Sequence, residues 1–466
     1  MRSLFGRREE KISELDRILG APRGAILYMM AVMIVPYIIS RLNIFVDTAW
    51  VAELGPDAVT AVSVVKPLYI IISCVGVGFG IGASACISCY IGRKKIERAE
   101  DIATNAVLCG IFISVGISLI LLVFIGPILY IIGAENVQEQ AREYMFPLST
   151  CASILISSGI LTSILKAEGA AKKVMVSVLL GAVMNIVLDP IMIFTLGLGI
   201  AGAAWATSIS SMCTILLIYY WYYTGRTCLR LRIIRRPERS SVREILSIAT
   251  PRALEEFSSG VFLLLQRMII MLVAGSEAVM MHTLAFLYLD LLMVIPDALG
   301  SSALTVGSVC IGQRDQEKLD RGVNFTVYLG FGIPLIMSLV LFMFPEQLMA
   351  IFINPETEPF KEEIIWATRL YSLLLPFYVM TKITSYLLQV IRKSKLSASF
   401  NVLIGVVKTL FNAIPLVLGL YTFEAVVWSI AGGYLAAAVI MMLVTVIQYR
   451  KFDINSLDLE PAKARS

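Results

Sequence analysis

Twelve apolar segments follow one another along this chain, with approximate limits 25–46, 57–91, 99–131, 140–165, 174–195, 200–223, 246–273, 278–311, 322–352, 364–390, 397–419 and 424–448. A helix needs about 20 apolar residues to cross the hydrocarbon core of a bilayer, and each segment meets that length. Several exceed it, which predicts tilt or extension beyond the bilayer. The breaks are short and carry Gly, Pro, Asn or charge, as in Glu53-Leu54-Gly55-Pro56-Asp57, Gly133-Ala134-Glu135-Asn136 and Asn354-Pro355-Glu356. Hydrophobic residues make up 58% of the chain and charged ones 16%, where a soluble domain carries about a quarter charged. Mean hydropathy is +0.81. An ordinary soluble enzyme, a disordered chain and a secreted disulfide scaffold are excluded. A net charge of +5 spread over so apolar a body argues against nucleic acid as a partner. The expected class is an all-α polytopic membrane protein, surrounded by lipid and working as a monomer.

Basic residues orient the segments. Residues 1–24 contain no apolar h-region and no small-residue cleavage site, so they do not read as a signal peptide. With that end in the cytoplasm, thirty of the 39 Lys and Arg fall on the inner side and two, Arg142 and Lys361, on the outer. This is the positive-inside asymmetry, with both termini inside a cell membrane. Seven arginines crowd Thr224–Ser247 at the midpoint, which reads as a linker between halves. The expected organisation is a cytoplasmic N-terminal segment 1–24, an N-lobe 25–223, a cytoplasmic linker 224–245, a C-lobe 246–448 and a cytoplasmic tail 449–466. The halves repeat. Gly55-Pro-Asp-Ala-Val aligns with Gly275-Ser-Glu-Ala-Val at an offset of 220, as do Gly80 with Gly300, Ala83 with Ala303, and Ile91-Gly92 with Ile311-Gly312. An offset of about 223 pairs Leu165 with Leu388 and Trp205 with Trp428. With six segments per half the repeat is parallel, and it predicts two pseudo-symmetric six-helix bundles facing a central cavity.

Charges inside the apolar segments are the functional signal. Arg41, Lys66, Arg252, Arg267, Arg369, Lys382 and Lys408 lie in or beside spans, with Asp47, Asp189, Glu255, Glu256, Asp290 and Asp297. Each charge near the bilayer centre costs about 2.5–3.5 kcal/mol, so they face a wet cavity or one another unless they snorkel from a span end. Snorkelling stays open for Arg41, Arg252 and Arg369, and fits the deep positions of Asp189 and Lys408 poorly. The eight cysteines have no partner at disulfide-like spacing in a polar loop and read as free thiols. Cys86 and Cys89 lack the flanking partners of a zinc or redox motif. His282 is the only histidine, which argues against a His-based metal site or catalytic dyad.

The densest cluster is Met184-Asn185-Ile186-Val187-Leu188-Asp189-Pro190. Asn185 and Asp189 are four apart, so on a helix they stack on one face roughly 6 Å apart. Pro190 cannot donate a backbone hydrogen bond and disfavours helical geometry at the residue before it, so a kink there frees a carbonyl one turn back. Carboxylate, amide and carbonyl oxygens suit a small hard cation or a proton. The alternative is a polar kink packed against a neighbouring helix.

Asn43-Ile-Phe-Val-Asp47 followed by Glu53-Leu-Gly55 resembles the first-helix motif of multidrug and toxic compound extrusion (MATE) transporters. So do Gly80, Gly82 and Gly92, Leu165-Lys-Ala-Glu-Gly169, and the run from Asn185 to Pro190 continuing through Leu198-Gly-Ile-Ala-Gly-Ala-Ala-Trp-Ala-Thr207. The resemblance covers nearly the whole chain. It implies two six-helix lobes arranged as a V, with alternating access driven by an ion gradient. It also implies a cation site in the N-lobe made by Asp47, Asn185, Asp189, Thr207 and the backbone carbonyl of Ala203, taking Na⁺ or H⁺, with no other cofactor. Oxygen-only ligands are consistent with either ion.

The sequence departs from the family pattern in two places. The proline common about fifteen residues before the first-helix acid is Val32 here, with Pro36 nearer the acid. Glu255 and Glu256 follow Pro251 where another branch has an essential acid, but the charge in the tenth segment is Lys382. The C-lobe therefore looks basic, unless Glu255 or Glu256 pairs locally, for example with Arg267. An exporter of amphipathic organic cations is the first functional expectation, with Trp50, Tyr37, Tyr69, Tyr144 and the methionines as an adaptable wall. The alternative is an exporter of an anionic metabolite or lipid-linked anion, prompted by Lys66, Arg267, Lys382 and Lys408. A membrane transferase needs paired acids to hold Mg²⁺, and no D-x-x-D or D-x-x-x-D run is present. Lone asymmetric charges in a repeat suit alternating access better than a channel filter.

Overall fold

The computed structural model describes residues 16, 18–131, 138–231, 238–350 and 358–456. Most of the expected N-terminal segment, the tail beyond residue 456, the centre of the linker and the side chain of Lys66 lie outside the described residues. Every regular element among them is a helix. In order these are α1 (Pro22–Ala52), α2 (Pro56–Gly92), α3 (Ile96–Ile131), α4 (Gln138–Thr150), α5 (Ala152–Ala167), α6 (Ala171–Pro190), α7 (Gly199–Tyr223), α8 (Arg239–Leu292), α9 (Val294–Gln313), α10 (Gln316–Met343), α11 (Pro345–Met349), α12 (Lys361–Val390), α13 (Ser394–Leu418) and α14 (Phe423–Arg450). Eleven stretches are long and apolar enough to cross a membrane, and α4 with α5 form a twelfth across a 50° bend. The chain is a multi-pass membrane protein.

Helix ends follow local chemistry. α1 and α2 open on prolines, which tolerate a first turn because its N–H groups have no partner anyway. Thr422 caps α14 by accepting the Ala425 N–H at 3.2 Å. Two boundaries differ from the apolar pattern. The fourth segment bends at Cys151, four residues after Pro147, which has no N–H to donate. The seventh and eighth segments meet without a loop, because α8 is broken only at Gly275.

The internal repeat is written in the backbone. Gly55 (φ 106°, ψ 173°) and Gly275 (φ 81°, ψ −174°) share a conformation that is almost exclusive to glycine. Lys94 and Arg314, also 220 apart, both take φ 58° within two residues of the ends of α2 and α9. Gly169 (φ 78°) and Arg392 (φ 61°), 223 apart, do the same after α5 and α12. In each case the next N–H reaches back to close the helix end, as Lys95 does to Tyr90 O at 3.0 Å and Asp315 to Cys310 O at 3.2 Å.

The described residues form two compact units. One holds those through Leu254 together with Thr305–Lys318, and the other Glu255–Leu304 with Leu319–Ser456. In the first unit, α2 crosses α5 through small residues. A Cβ on Gly80 would lie 2.4 Å from Ser163 Oγ, and one on Gly76 3.4 Å from the Ile156 backbone. In the second unit, Leu388, Ile391, Ile404, Ala437 and Met441 of α12, α13 and α14 share a buried cluster.

Two buried acids of the first unit hold the chain that follows α7. Glu168 accepts the Tyr222 hydroxyl at 2.5 Å and the Cys228 and Leu229 N–H groups at 2.7 and 3.3 Å. Glu100 accepts the Arg230 N–H at 3.0 Å. Glu238, beyond the segment, pairs with Arg98 at 2.6 Å, and the Ser240 hydroxyl helps to hold its carboxyl below the usual carboxylate range. Glu168→Ala leaves a buried hydroxyl and two N–H groups without an acceptor, at about 1–3 kcal/mol each. The expected result is a lower melting temperature and faster proteolysis within residues 224–231, with Glu168→Gln milder. Unchanged proteolysis in Glu168→Ala would show that the acid does not hold the segment.

Candidate functional site

In the first unit α1 packs on α6, and α6 on α7. This brings polar residues of α1 and α6 together inside an apolar bundle. Asn185 Nδ2 donates to Asp189 Oδ1 at 3.1 Å, the one-face pair that the four-residue spacing predicts. Both residues are buried, at 2% and 1% exposure. From α1, the carboxyl of Asp47 lies within electrostatic reach of that of Asp189. Asn43 joins them. Its Nδ2 donates to Asn185 Oδ1 and lies 3.4 and 3.5 Å from the Asp47 oxygens. The resemblance gave Asn43 no role in the site, and its position four residues before Asp47 is the sequence signal that finds it.

Two oxygens here are buried without a hydrogen-bond partner, Asp189 Oδ2 and Asn43 Oδ1. Groups of that kind are scarce in folded proteins and each needs a reason. On α7, Thr207 Oγ1 donates to Ala203 O at 3.1 Å. Among the described residues no hydrogen bond ties Thr207 to Asp47, Asn185 or Asp189.

Pro190 shapes the end of α6. A wide π-type turn, Ile191–Thr195, follows it, closed by Leu196 N–H to Ile191 O at 2.8 Å. Such turns concentrate at functional sites. Gly202 lets α7 approach it, since a Cβ there would lie 2.7 Å from the Met192 carbonyl. Ala203 follows directly.

The aromatic candidates divide. Tyr144 and Tyr69 lie within electrostatic reach of Asp47, and Tyr144 of Asp189 as well. Tyr37 is engaged elsewhere: its hydroxyl accepts from Lys166 Nζ at 3.1 Å and its ring lies under that ammonium. Trp50 meets Phe194 edge to face at 6.1 Å, with its indole N–H buried and unpartnered.

The second unit collects the C-lobe charges differently from the expected local pairing. Glu256 faces Lys382 at 3.9 Å. Among the described residues no acid pairs with Arg267, which is exposed and acts on His282. Glu255 is buried and accepts from Ser385 at 2.5 Å, Ser397 at 3.3 Å and Gln389 at 3.4 Å. The Lys408 ammonium stands 3.9 Å from the Tyr434 ring centre and 5.6 Å from that of Tyr378. His282 lies between Tyr371 OH (2.9 Å) and Gln266 Nε2 (3.3 Å). Because that amide nitrogen only donates, the network assigns the ring proton to Nδ1.

The same family model, MatE, matches twice, over residues 32–191 and 251–414, once in each repeat. The chain belongs to this family of MATE transporters. A FAD transporter of Shewanella oneidensis is 29% identical over 212 residues, which cover 44% of this chain and 46% of that protein. The multidrug export protein MepA of Staphylococcus aureus is 28% identical over 204 residues, covering 43% and 45%. These matches span a little under half the length of the curated relatives. Solved MATE structures align along nearly the whole chain. One is an outward-facing multidrug resistance MATE family transporter, at TM-score 0.89 and 26% identity over 95% of this chain and 99% of that one. Another is a transporter of the same superfamily from Pyrococcus furiosus, described as having a binding pocket of reverse polarity, at TM-score 0.88 and 26% identity over 95% and 99%. They share the two-lobe, all-helical MATE fold.

Proposed function

We propose that this MATE protein is a secondary active exporter in the cell membrane. In this reading it works as a monomer with both termini in the cytoplasm, and exchanges an amphipathic organic compound for Na⁺ or H⁺. The observation that carries the proposal is the network in which Asn43 joins Asp47 to the Asn185–Asp189 pair, beside two unpartnered oxygens. Two carboxylates in one buried network inside a membrane repel if both are ionised and unaccompanied. A shared proton or a small hard cation relieves that repulsion. Asp189 Oδ2 can take a proton, it and Asn43 Oδ1 can both ligate Na⁺, and the resemblance adds Asn185, Thr207 and the Ala203 carbonyl as further oxygens. An ion that favours one conformation over the other shifts the balance between them, which is what coupling requires.

The resemblance favours an organic cation as the cargo, against a wall that includes Tyr69, Tyr144 and Trp50. A second reading, an organic anion, is favoured by Lys408, for which no acid partner exists among the described residues. The name of the FAD transporter relative agrees with it. The test is purified protein in liposomes, with a Na⁺ or pH gradient imposed and a cationic dye and FAD offered separately. Uptake that follows one gradient and stops when an ionophore dissipates it is the expected result. The same flux without any gradient would refute coupling.

A further inference from the structure

The Tyr434, Tyr378 and Phe286 rings stand against one another, with Tyr378–Tyr434 centres 5.0 Å apart at 84° and Phe286 5.6–5.7 Å from both. Clustered aromatic faces of this kind bind organic ammonium ions. Here an ammonium already stands on two of the rings, and it belongs to the chain: Lys408 of α13, brought against α12 and α14. The charged group that acts on it is another cation, Lys382, which faces Glu256 at 3.9 Å. Asp290 acts on Tyr434 from an exposed position, and no carboxylate among the described residues pairs with Lys408. Packing alone does not call for lysine, because methionine fills such gaps without the cost of a charge inside a span.

We infer that Lys408 sets the sign of the cargo. It occupies, as a tethered cation, the seat that a free organic cation would take, and it presents an uncompensated positive charge beside aromatic faces. The unit therefore refuses organic cations at this place and binds an organic anion carrying a planar aromatic ring, with the anion on the ammonium and the ring against tyrosine. This deepens the anionic reading of the cargo and rests on it, while its test needs no transport.

The test is equilibrium titration of full-length protein in lipid nanodiscs, with FAD as the aromatic anion and tetraphenylphosphonium as the permanent cation. Wild type is expected to bind FAD more tightly. Lys408→Met is expected to bind FAD about tenfold more weakly and tetraphenylphosphonium about tenfold more tightly, the size of one partly desolvated cation–π contact. Lys408→Arg keeps the charge and is expected to keep the wild-type order. Tyr434→Leu keeps the ammonium but takes away one ring face, so FAD binding weakens while no cation binding appears. Wild type preferring tetraphenylphosphonium, Lys408→Met leaving both affinities unchanged, or Tyr434→Leu gaining cation binding would each overturn the assignment. Loss of gradient-driven flux with this binding order intact would count against coupled export instead.

Discussion

Asp189→Asn is expected to abolish gradient-driven export while the protein still reaches the membrane in normal amounts. The substitution keeps the volume of the side chain and an oxygen to accept from Asn185 Nδ2, now 3.1 Å away. What it removes is the charge facing Asp47 and the unpartnered Oδ2. A coupling ion that depends on both carboxyls loses one charged ligand, about 1.5–3 kcal/mol, and so about ten- to a hundredfold in affinity. Asp47→Asn should fail in the same way. If the two act as one site, the double variant is no worse than either single one. Wild-type export rates in Asp189→Asn at normal membrane levels would remove the α1–α6 cluster from the mechanism.

The parts of this site that sequence reveals are those that lie within one helix. Asn185 and Asp189 are four apart, and a carboxylate in an apolar run has few explanations, so that pair is legible. Whether Asp47 meets it depends on how α1 is rotated against α6, which no spacing encodes. The resemblance supplied that link. For Asn43 the spacing of four from Asp47 was legible, but its bond to Asn185, 142 positions away, was not. In the other half, the spacing of Glu255, Glu256 and Arg267 suggested local pairing, yet Glu256 meets Lys382 on another helix. The rings under Lys408 come from α12 and α14, so its environment was equally closed to one-dimensional reading. Helix limits were clearer where Gly55 with Pro56 or Gly419 punctuates the chain. At Cys151 they were not, because the apolar pattern runs straight through the bend.

Gly312→Ala is expected to be among the most disruptive single-methyl additions in this chain. A Cβ at Gly312 would lie 2.0 Å from Cys89 O and 3.0 Å from Gly92 Cα. The crossing is reciprocal: a Cβ at Gly92 would lie 2.1 Å from Val309 O, and Cys89 and Val309 are themselves 220 apart. These obstacles are backbone atoms in helix ends, so no rotamer change relieves them. The ends of α2 and α9 must part by more than about 1 Å to reach ordinary contact. Overpacking of this kind costs about 3 kcal/mol, and a fall of about 3 °C in melting temperature should follow for a chain of 466 residues. Cys89 and Cys310, buried at 3% and 2% exposure beside the crossing, report the opening directly, so their labelling by a maleimide should accelerate in Gly312→Ala. Because one separation accommodates both methyl groups, Gly92→Ala added to Gly312→Ala should cost much less than the sum of the two. Full additivity, or unchanged labelling of Cys89, would mean that the two glycines do not share a single crossing.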